Sequence, residues 1–335
     1  MGMLMLSKST ISMSIWAILL TLVSATNSTP AFDYNALSLR TVGARNTLDW
    51  RIWLEHNNQP ISFWHDVPLY PYPANKQIIN FIVEIPRGTD GKIEIRRPEP
   101  LNPIFHDERD GVPRYVESVW PHKSYPFLYG SIPQTWESPN FEHAFTGEPG
   151  DNDPVDLFDI GQDPGFSGQV KQVKILGALA LNDGGETDWK VLAIDVRDPI
   201  AELVDDFKDV DKYRPGLITS YRNWFTTYKV ARGDSLIPIV NNTYVNATFA
   251  ASVVQQSHGY WLDLVSGSVD SNEINYNQTS RPDITGSFVS RFNATARFSL
   301  PAESDERPAG PKPERFEQWF YLDGAGRLIG KNVVG

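Results

Sequence analysis

The stretch GDNDPVDLFDIG, residues 150–161, places Asp151, Asp153, Asp156 and Asp159 in a single short window. Val155, Leu157, Phe158 and Ile160 lie among them, and such residues fold into cores rather than onto surfaces. Two carboxylates about 5 Å apart repel by about 3 kcal/mol at an effective dielectric of about 20. A fold stable by about 5–15 kcal/mol cannot hold several such pairs without compensation. Either the acids splay into water or something positive sits between them.

Outward from this window, the chain reads first as strands. LDWRIWLE (48–55), INFIVEIP (79–86), GKIEIRR (91–97), VKQVKILGALALN (170–182) and WKVLAIDV (189–196) are short alternating or apolar runs bounded by Pro, Gly, Asn and Asp. Helical spacing comes later. Leu217, Tyr221, Trp224/Phe225 and Tyr228 form one stripe, with Pro215 near its start where proline is tolerated. Ala247, Ala251, Val254, His258, Trp261 and Val265 form a second. Strands followed by helices predict a mainly β, mixed α/β fold: a barrel or sheet with helices packed outside. Residues 267–316 are polar and Pro-rich and read as an extended arm, and WFYLDG (319–324) reads as a final packed segment.

Composition sets further bounds. The chain has 335 residues, 41% hydrophobic and 21% charged, which describes a soluble protein able to build a core. A net charge of −11 excludes nucleic acid as the main partner, since phosphate backbones require a basic surface. There is no cysteine, so no disulfide supports the fold. In the first 25 residues Lys8 is the lone charge, SIWAILLTLV (14–23) is apolar, and Val23-Ser24-Ala25 suits a cleavage site. This reads as a secretory signal peptide over 1–25; a Ser-rich mitochondrial presequence is the rival, although Arg is missing. The apolar run is too short for a stable membrane span. Glycosylation sequons at Asn27, Asn241, Asn246, Asn277 and Asn293 agree with secretion.

Charges on the strands follow a pattern. Side chains two apart on a strand share a face, and Lys92/Glu94, Asp151/Asp153 and Asp188/Lys190 are such pairs. A single pair reads as the wet face of an amphipathic strand. Three pairs beside a further acidic motif favour a shared interior lined by acids and lysines. Carboxylates with Lys and Arg, no Cys and six His point to hard, oxygen-loving ions, with Mg²⁺ the best fit. A helix–loop–helix Ca²⁺ site needs glycine at the sixth loop position, where Asp156 stands. The chain has no HExxH, GxxxxGK[ST] or GxSxG motif.

Together these motifs resemble family I soluble inorganic pyrophosphatases of the eukaryotic type. GDNDPVDLFDIG is similar to the family signature D-x-D-x-x-D, and the likeness continues through GQVKQVKILGALALNDGGETDWKVLAID (168–195) and NWFTTYK (223–229). VGARNTLDW, FWHDVPLY, FIVEIPR, LNPIFHDERDGVPRY and YGSIPQTWESP extend it upstream. The resemblance implies one domain over 26–335. Its fold would be a five-stranded OB-like β-barrel with flanking helices and extended terminal arms.

It also implies the site. Asp151, Asp156 and Asp188 match the principal Mg²⁺ ligands; Asp183, Glu94 and Glu84 match further acids that serve the several metals of the site. Asp153 matches the carboxylate that deprotonates the attacking water, and Tyr125 a proton donor. Lys92, Arg114, Tyr129, Lys190, Tyr228 and Lys229 match the groups that hold the two phosphates of inorganic pyrophosphate. Trp136, Trp189 and Trp224 read as packing, and Asp159 and Asp195 as structural or solvated. Two positions depart from the pattern. Gly184 replaces an acid beside Asp183, and Gly88 replaces an aromatic of the homodimer contact. The alternatives to a Mg²⁺-dependent diphosphatase are a polyphosphate or organic-diphosphate hydrolase of the same fold, or a catalytically silent extracellular binding protein.

Overall fold

The computed structural model describes residues 32–329, besides Met1. The signal-like segment at 1–25 and the sequon at Asn27 lie outside these residues. Nine strands carry the architecture. β1 (Leu37–Ala44) and β2 (Arg51–His56) pair antiparallel, then come β3 (Ile78–Ile85), β4 (Ile93–Ile95) and β5 (Ile104–His106). β6 (Leu128–Ser131), β7 (Asp156–Asp159), β8 (Val170–Asn182) and β9 (Thr187–Asp195) complete the set. Helices follow: α1 (Phe207–Tyr213), α2 (Leu217–Thr227), α3 (Ala247–Ser266) and α4 (Arg291–Arg297).

Five strands pair in the order β9–β7–β6–β3–β8, and β8 pairs back onto β9, so the pairing closes into a ring. This is the five-strand count and mainly β fold expected from the sequence. β8 makes closure possible by its length: Val170–Lys174 pair with β3, while Val173–Asn182 pair with β9. An irregularity between Ile175 and Gly177 bends the strand between its two partners. Only β7 and β9 run parallel within the ring, in a register that sets Asp156 beside Lys190. Gly130 on β6 allows close approach to β3, because a Cβ there would lie 2.1 Å from the Ile82 carbonyl oxygen.

Both faces of the ring strands are buried. Trp189, Val191 and Ala193 of β9 pack with Ala250, Val253 and Val254 of α3. Leu192 and Ile194, on the face that also carries Asp188 and Lys190, join an inner cluster with Phe158, Trp224 and Phe225. The wet face that amphipathic alternation suggests is therefore missing from β9, where all nine residues are buried. The inner charges are enclosed by the ring instead. A second correction concerns Asp151 and Asp153, which lie in the loop before β7 and on no strand. Pro154 has no N–H to donate to a ladder, and β7 begins only at Asp156.

The helical stripes hold, with Tyr221, Trp224 and Phe225 buried on α2 and Val254, Trp261 and Val265 on α3. The arm at 267–316 is more structured than its polar composition suggests. It contains α4 and a strand, Asp305–Arg307, that pairs parallel with β1, and it buries Ile274, Val289 and Ala294. Apolar residues spaced this widely carry no period to detect in sequence.

At the β7 and β9 C-terminal ends, the Lys171 ammonium lies 3.0 Å from Asp159 and 2.8 Å from Asp195, with no side-chain exposure for Lys171 or Asp159. The fourth acid of the opening window is thus structural. Removing one partner from a buried ion pair costs about 3–5 kcal/mol. Lys171→Met is expected to lower unfolding stability by that amount, measured by denaturant titration. The triple variant that adds Asp159→Asn and Asp195→Asn should recover part of the loss.

Candidate active site

A cavity of about 300 Å³ opens at the other end of β7 and β9. Thirteen of the fourteen residues expected at the site line it: Lys92, Glu94, Arg114, Tyr125, Tyr129, Asp151, Asp153, Asp156, Asp183, Asp188, Lys190, Tyr228 and Lys229. The ring delivers them from separate segments. Lys92 and Glu94 flank Ile93 at the start of β4, with the Lys92 ammonium 2.7 Å from the Glu94 carboxylate. Tyr129 comes from β6, Asp156 from β7, and Asp188 with Lys190 from β9. Tyr228 caps α2 and is stacked on Trp224 with ring centroids 4.5 Å apart, so a tryptophan expected only to pack also forms cavity wall. Trp136 and Trp189 pack in the core as expected.

Lys190 is the hub. Its ammonium donates to Asp156 at 2.5 Å, to Asp188, and to the Tyr129 hydroxyl at 2.9 Å, while that hydroxyl donates to Asp156. Burial opposes its charge, but Asp156 and Asp188 outweigh burial and hold its pKa well above the usual value. Lys229 is paired with Asp183 across the mouth, and Arg114 with Asp107 at 2.8 Å.

The acids respond in the opposite sense. Burial, reinforced by Asp153 and Asp188, pushes the Asp151 carboxyl well above the carboxylate range. Burial raises Asp153 to about 7 although Arg97 pulls it down, and burial also raises Asp188. Burial would raise Glu94 as well, but Lys92 outweighs it and the net shift is downward. Tyr125 and Tyr129 are raised chiefly by burial, so both phenols keep their protons at neutral pH. Acids pushed towards their neutral forms and crowded in one cavity mark a place where a cation would favour the charged carboxylates.

Glu84 is the exception. It is buried beneath the cavity, accepting from Ser131 Oγ at 2.8 Å and from the Ile95 amide at 3.2 Å, and burial followed by Asp156 raises its pKa strongly. It supports the site from below and does not line it.

Three residues of the site escaped the sequence reading. Glu137, Asp151 and Asp188 bring carboxylate oxygens within 4.8 Å of one another, a spacing that suits a shared cation. Glu137 also accepts the Trp189 amide proton at 3.0 Å, and burial pushes its pKa well up. Arg97 pairs with Asp153 at 3.1 Å, and Asp107 orients Arg114. The signals were faint: Glu137 is a lone acid in QTWESP, and Arg97 stands one residue out of step with the Lys92/Glu94 alternation.

Comparison with known proteins agrees with this geometry. Residues 81–262 match the model of the family described as inorganic pyrophosphatase. An inorganic pyrophosphatase of Zygosaccharomyces bailii is 42% identical over 288 residues, covering 85% of this chain and 98% of the relative. The structure of inorganic pyrophosphatase from Schistosoma japonicum superposes with a TM-score of 0.78 at 38% identity, covering 85% of this chain and all of that one. A truncated vacuolar soluble pyrophosphatase of Trypanosoma cruzi, solved in complex with PPi, is 34% identical with a TM-score of 0.64 and covers 78% of this chain. Matched by the family model over more than half of its length and by relatives about 40% identical along most of it, this chain belongs to the inorganic pyrophosphatase family.

Proposed function

We propose that the cavity hydrolyses inorganic diphosphate to two phosphates with Mg²⁺ held by Asp151, Asp156, Asp188 and Glu137, and further ions served by Glu94 and Asp183. The observation that carries this is the donor set: among the described residues, the metal-binding cluster is made of carboxylates alone, and the cavity also carries three lysines and two arginines. When bound, such ions neutralise the crowded acids, lower the pKa of water and screen the substrate's charge.

The chain's own residues supply the rest. Lys92, Arg114, Tyr129, Lys190, Tyr228 and Lys229 surround the cavity and hold the phosphate oxygens in one orientation, which is most of what phosphoryl transfer asks of a protein. Asp153 keeps one oxygen on Arg97 and takes the proton of the attacking water with the other. The water oxygen bonds to phosphorus as the bridging P–O bond breaks. Tyr125, buried and protonated, stands where it donates to the departing phosphate. Release of phosphate from diphosphate with Mg²⁺, measured on purified protein, tests the assignment, and no release would refute it.

Export is proposed on two supports, the apolar run at 14–23 and the sequons. Asn241, Asn246 and Asn293 are exposed and none lines the cavity, whereas Asn277 is half-buried with its amide donating to Asn275 at 2.8 Å. Among the described residues no helix is long and apolar enough to cross a membrane. Assembly as a homodimer, the other expectation, gains no side chain from Gly88, which is exposed and held at a φ of +78°.

Asp153→Asn is expected to lower turnover by about 100-fold or more while diphosphate binding stays close to wild type. Glu137→Gln should instead raise the Mg²⁺ concentration for half-activity about tenfold or more, since it removes one anionic ligand.

The pH response has a defined sign. Folded Asp153 keeps its proton up to about pH 7, whereas the unfolded carboxyl loses it near 3.8. The stability from this group is therefore full below 3.8 and lost as pH rises towards 7; Asp151, Asp188 and Glu137 act in the same direction. Chelator-treated protein should unfold at a lower temperature at pH 7.5 than at pH 5.5, and Asp153→Asn should flatten the difference. Added Mg²⁺ should restore stability at pH 7.5. Separately, endoglycosidase should shorten the mass of protein from its native host, with Asn277→Gln changing the glycan load least of the four described sequons.

A further inference from the structure

The arm around residues 310–322 reaches three segments that carry phosphate-binding cations. Lys312 pairs with Asp90 at 2.6 Å, two residues before Lys92. The Phe316 ring is stacked on Tyr115, next to Arg114, with centroids 4.9 Å apart. Arg315 Nε donates to Glu117 at 3.0 Å, and its Nη2 donates to the Ala231 carbonyl at 2.8 Å, two residues after Lys229. Strand Trp319–Leu322 then pairs parallel with Ser118–Val119, and the Arg315 guanidinium sits 4.7 Å over the Phe320 ring.

These ties are unequal. The Lys92 and Arg114 segments are already joined directly, since the Lys92 amide donates to the Arg114 carbonyl at 2.9 Å. Lys229 lies on a different element, just past α2. Among the described residues no hydrogen bond runs directly between 229–234 and 107–117, and the Arg315 fork is what connects them. Glu117 is buried and accepts from Arg315 alone among the described residues, so the fork is anchored at an otherwise unpaired carboxylate.

We propose that the 312–316 strap is a clamp that fixes the distance between Arg114 and Lys229, with Arg315 as a positioning residue for diphosphate. Arg315 touches neither substrate nor cavity and acts through the two segments it bridges. A planar guanidinium holds both acceptors at once, which a lysine ammonium at the same place does poorly. Arg315 is half-exposed and lies outside the ring, so its removal should loosen the walls while the ring stays closed. It also leaves the buried Glu117 carboxylate without its partner, a loss of stability that Arg315→Lys limits by keeping a cation there. The inference rests on the diphosphatase reading for its substrate.

The test uses the full chain with saturating Mg²⁺. Arg315→Ala is expected to raise KM for diphosphate and the Kd for imidodiphosphate together by about tenfold, with kcat changed by less than about threefold. Arg315→Lys should recover part of the loss, and Phe316→Leu, which keeps the fork, should stay near wild type. If Arg315→Ala fails to fold, Arg315→Lys must still show the raised Kd. Wild-type KM and Kd in both Arg315 variants would overturn the clamp. So would a fall in kcat that tracks a lower unfolding temperature at unchanged Kd. Imidodiphosphate binding reads the clamp without turnover, so failure of the diphosphatase assignment would show separately as wild-type protein that releases no phosphate.

Discussion

Lys190 between Asp156 and Asp188 is the interaction on which the site depends. A lysine with its side chain almost fully buried needs immediate anionic partners, and the parallel register of β7 and β9 supplies Asp156 directly beside it. The same register fixes where Asp188 and Tyr129 stand, because all three meet one ammonium. The buried cation in turn offsets some of the repulsion among acids that face it. What it leaves uncompensated, the raised carboxyls of Asp151, Asp153 and Glu137, marks a cluster that could hold a metal ion. The fold of the site and its capacity for a metal ion thus share one electrostatic cause.

The ring uses its two ends differently. At one end, Asp159 and Asp195 close around Lys171, whose charge is matched within the protein, and the cluster is sealed. At the other, acids outnumber nearby cations and the cavity stays open to solvent. Strand β7 spans both, with Asp156 at its first residue and Asp159 at its last. A strand of four residues suffices to carry a charge into each environment. The C-terminal arm adds a restraint from outside, joining walls that the ring itself does not connect.

The ring strands β3, β8 and β9 were legible because they are long, apolar and bounded by turn residues, whereas the four-residue β6 and β7 were not read as strands. Runs such as VKQVKILGALALN permit little else. Of the site, spacing within strands disclosed Lys92/Glu94 and Asp188/Lys190, Asp151/Asp153 were noticed by the same rule but lie in a loop, and most of the remaining residues came from the family resemblance. Arg97, Asp107 and Glu137 were hidden for a common reason: each acts through a partner distant in sequence, and its own neighbours show no pattern. Glu84 erred in the other direction. Its position on β3 resembles a site acid, yet Ser131 Oγ and the Ile95 amide fix it below the cavity floor.

By itself, then, the sequence determined that strands precede helices, that acids suited to a cation crowd residues 150–161, and that cysteine plays no part. Those are properties of local composition and period, which survive in one dimension. Tertiary structure decided what surrounds each of the four neighbouring aspartates. Asp151, Asp153 and Asp156 face an open cavity and Asp159 a sealed lysine. It also decided that Arg315 of the C-terminal arm joins Glu117 to the Ala231 carbonyl, residues that follow Arg114 and Lys229 in their segments. Both outcomes turn on ring closure and on contacts between residues far apart in the chain, and a carboxylate's role is set by the charges and solvent around it rather than by its neighbours in sequence.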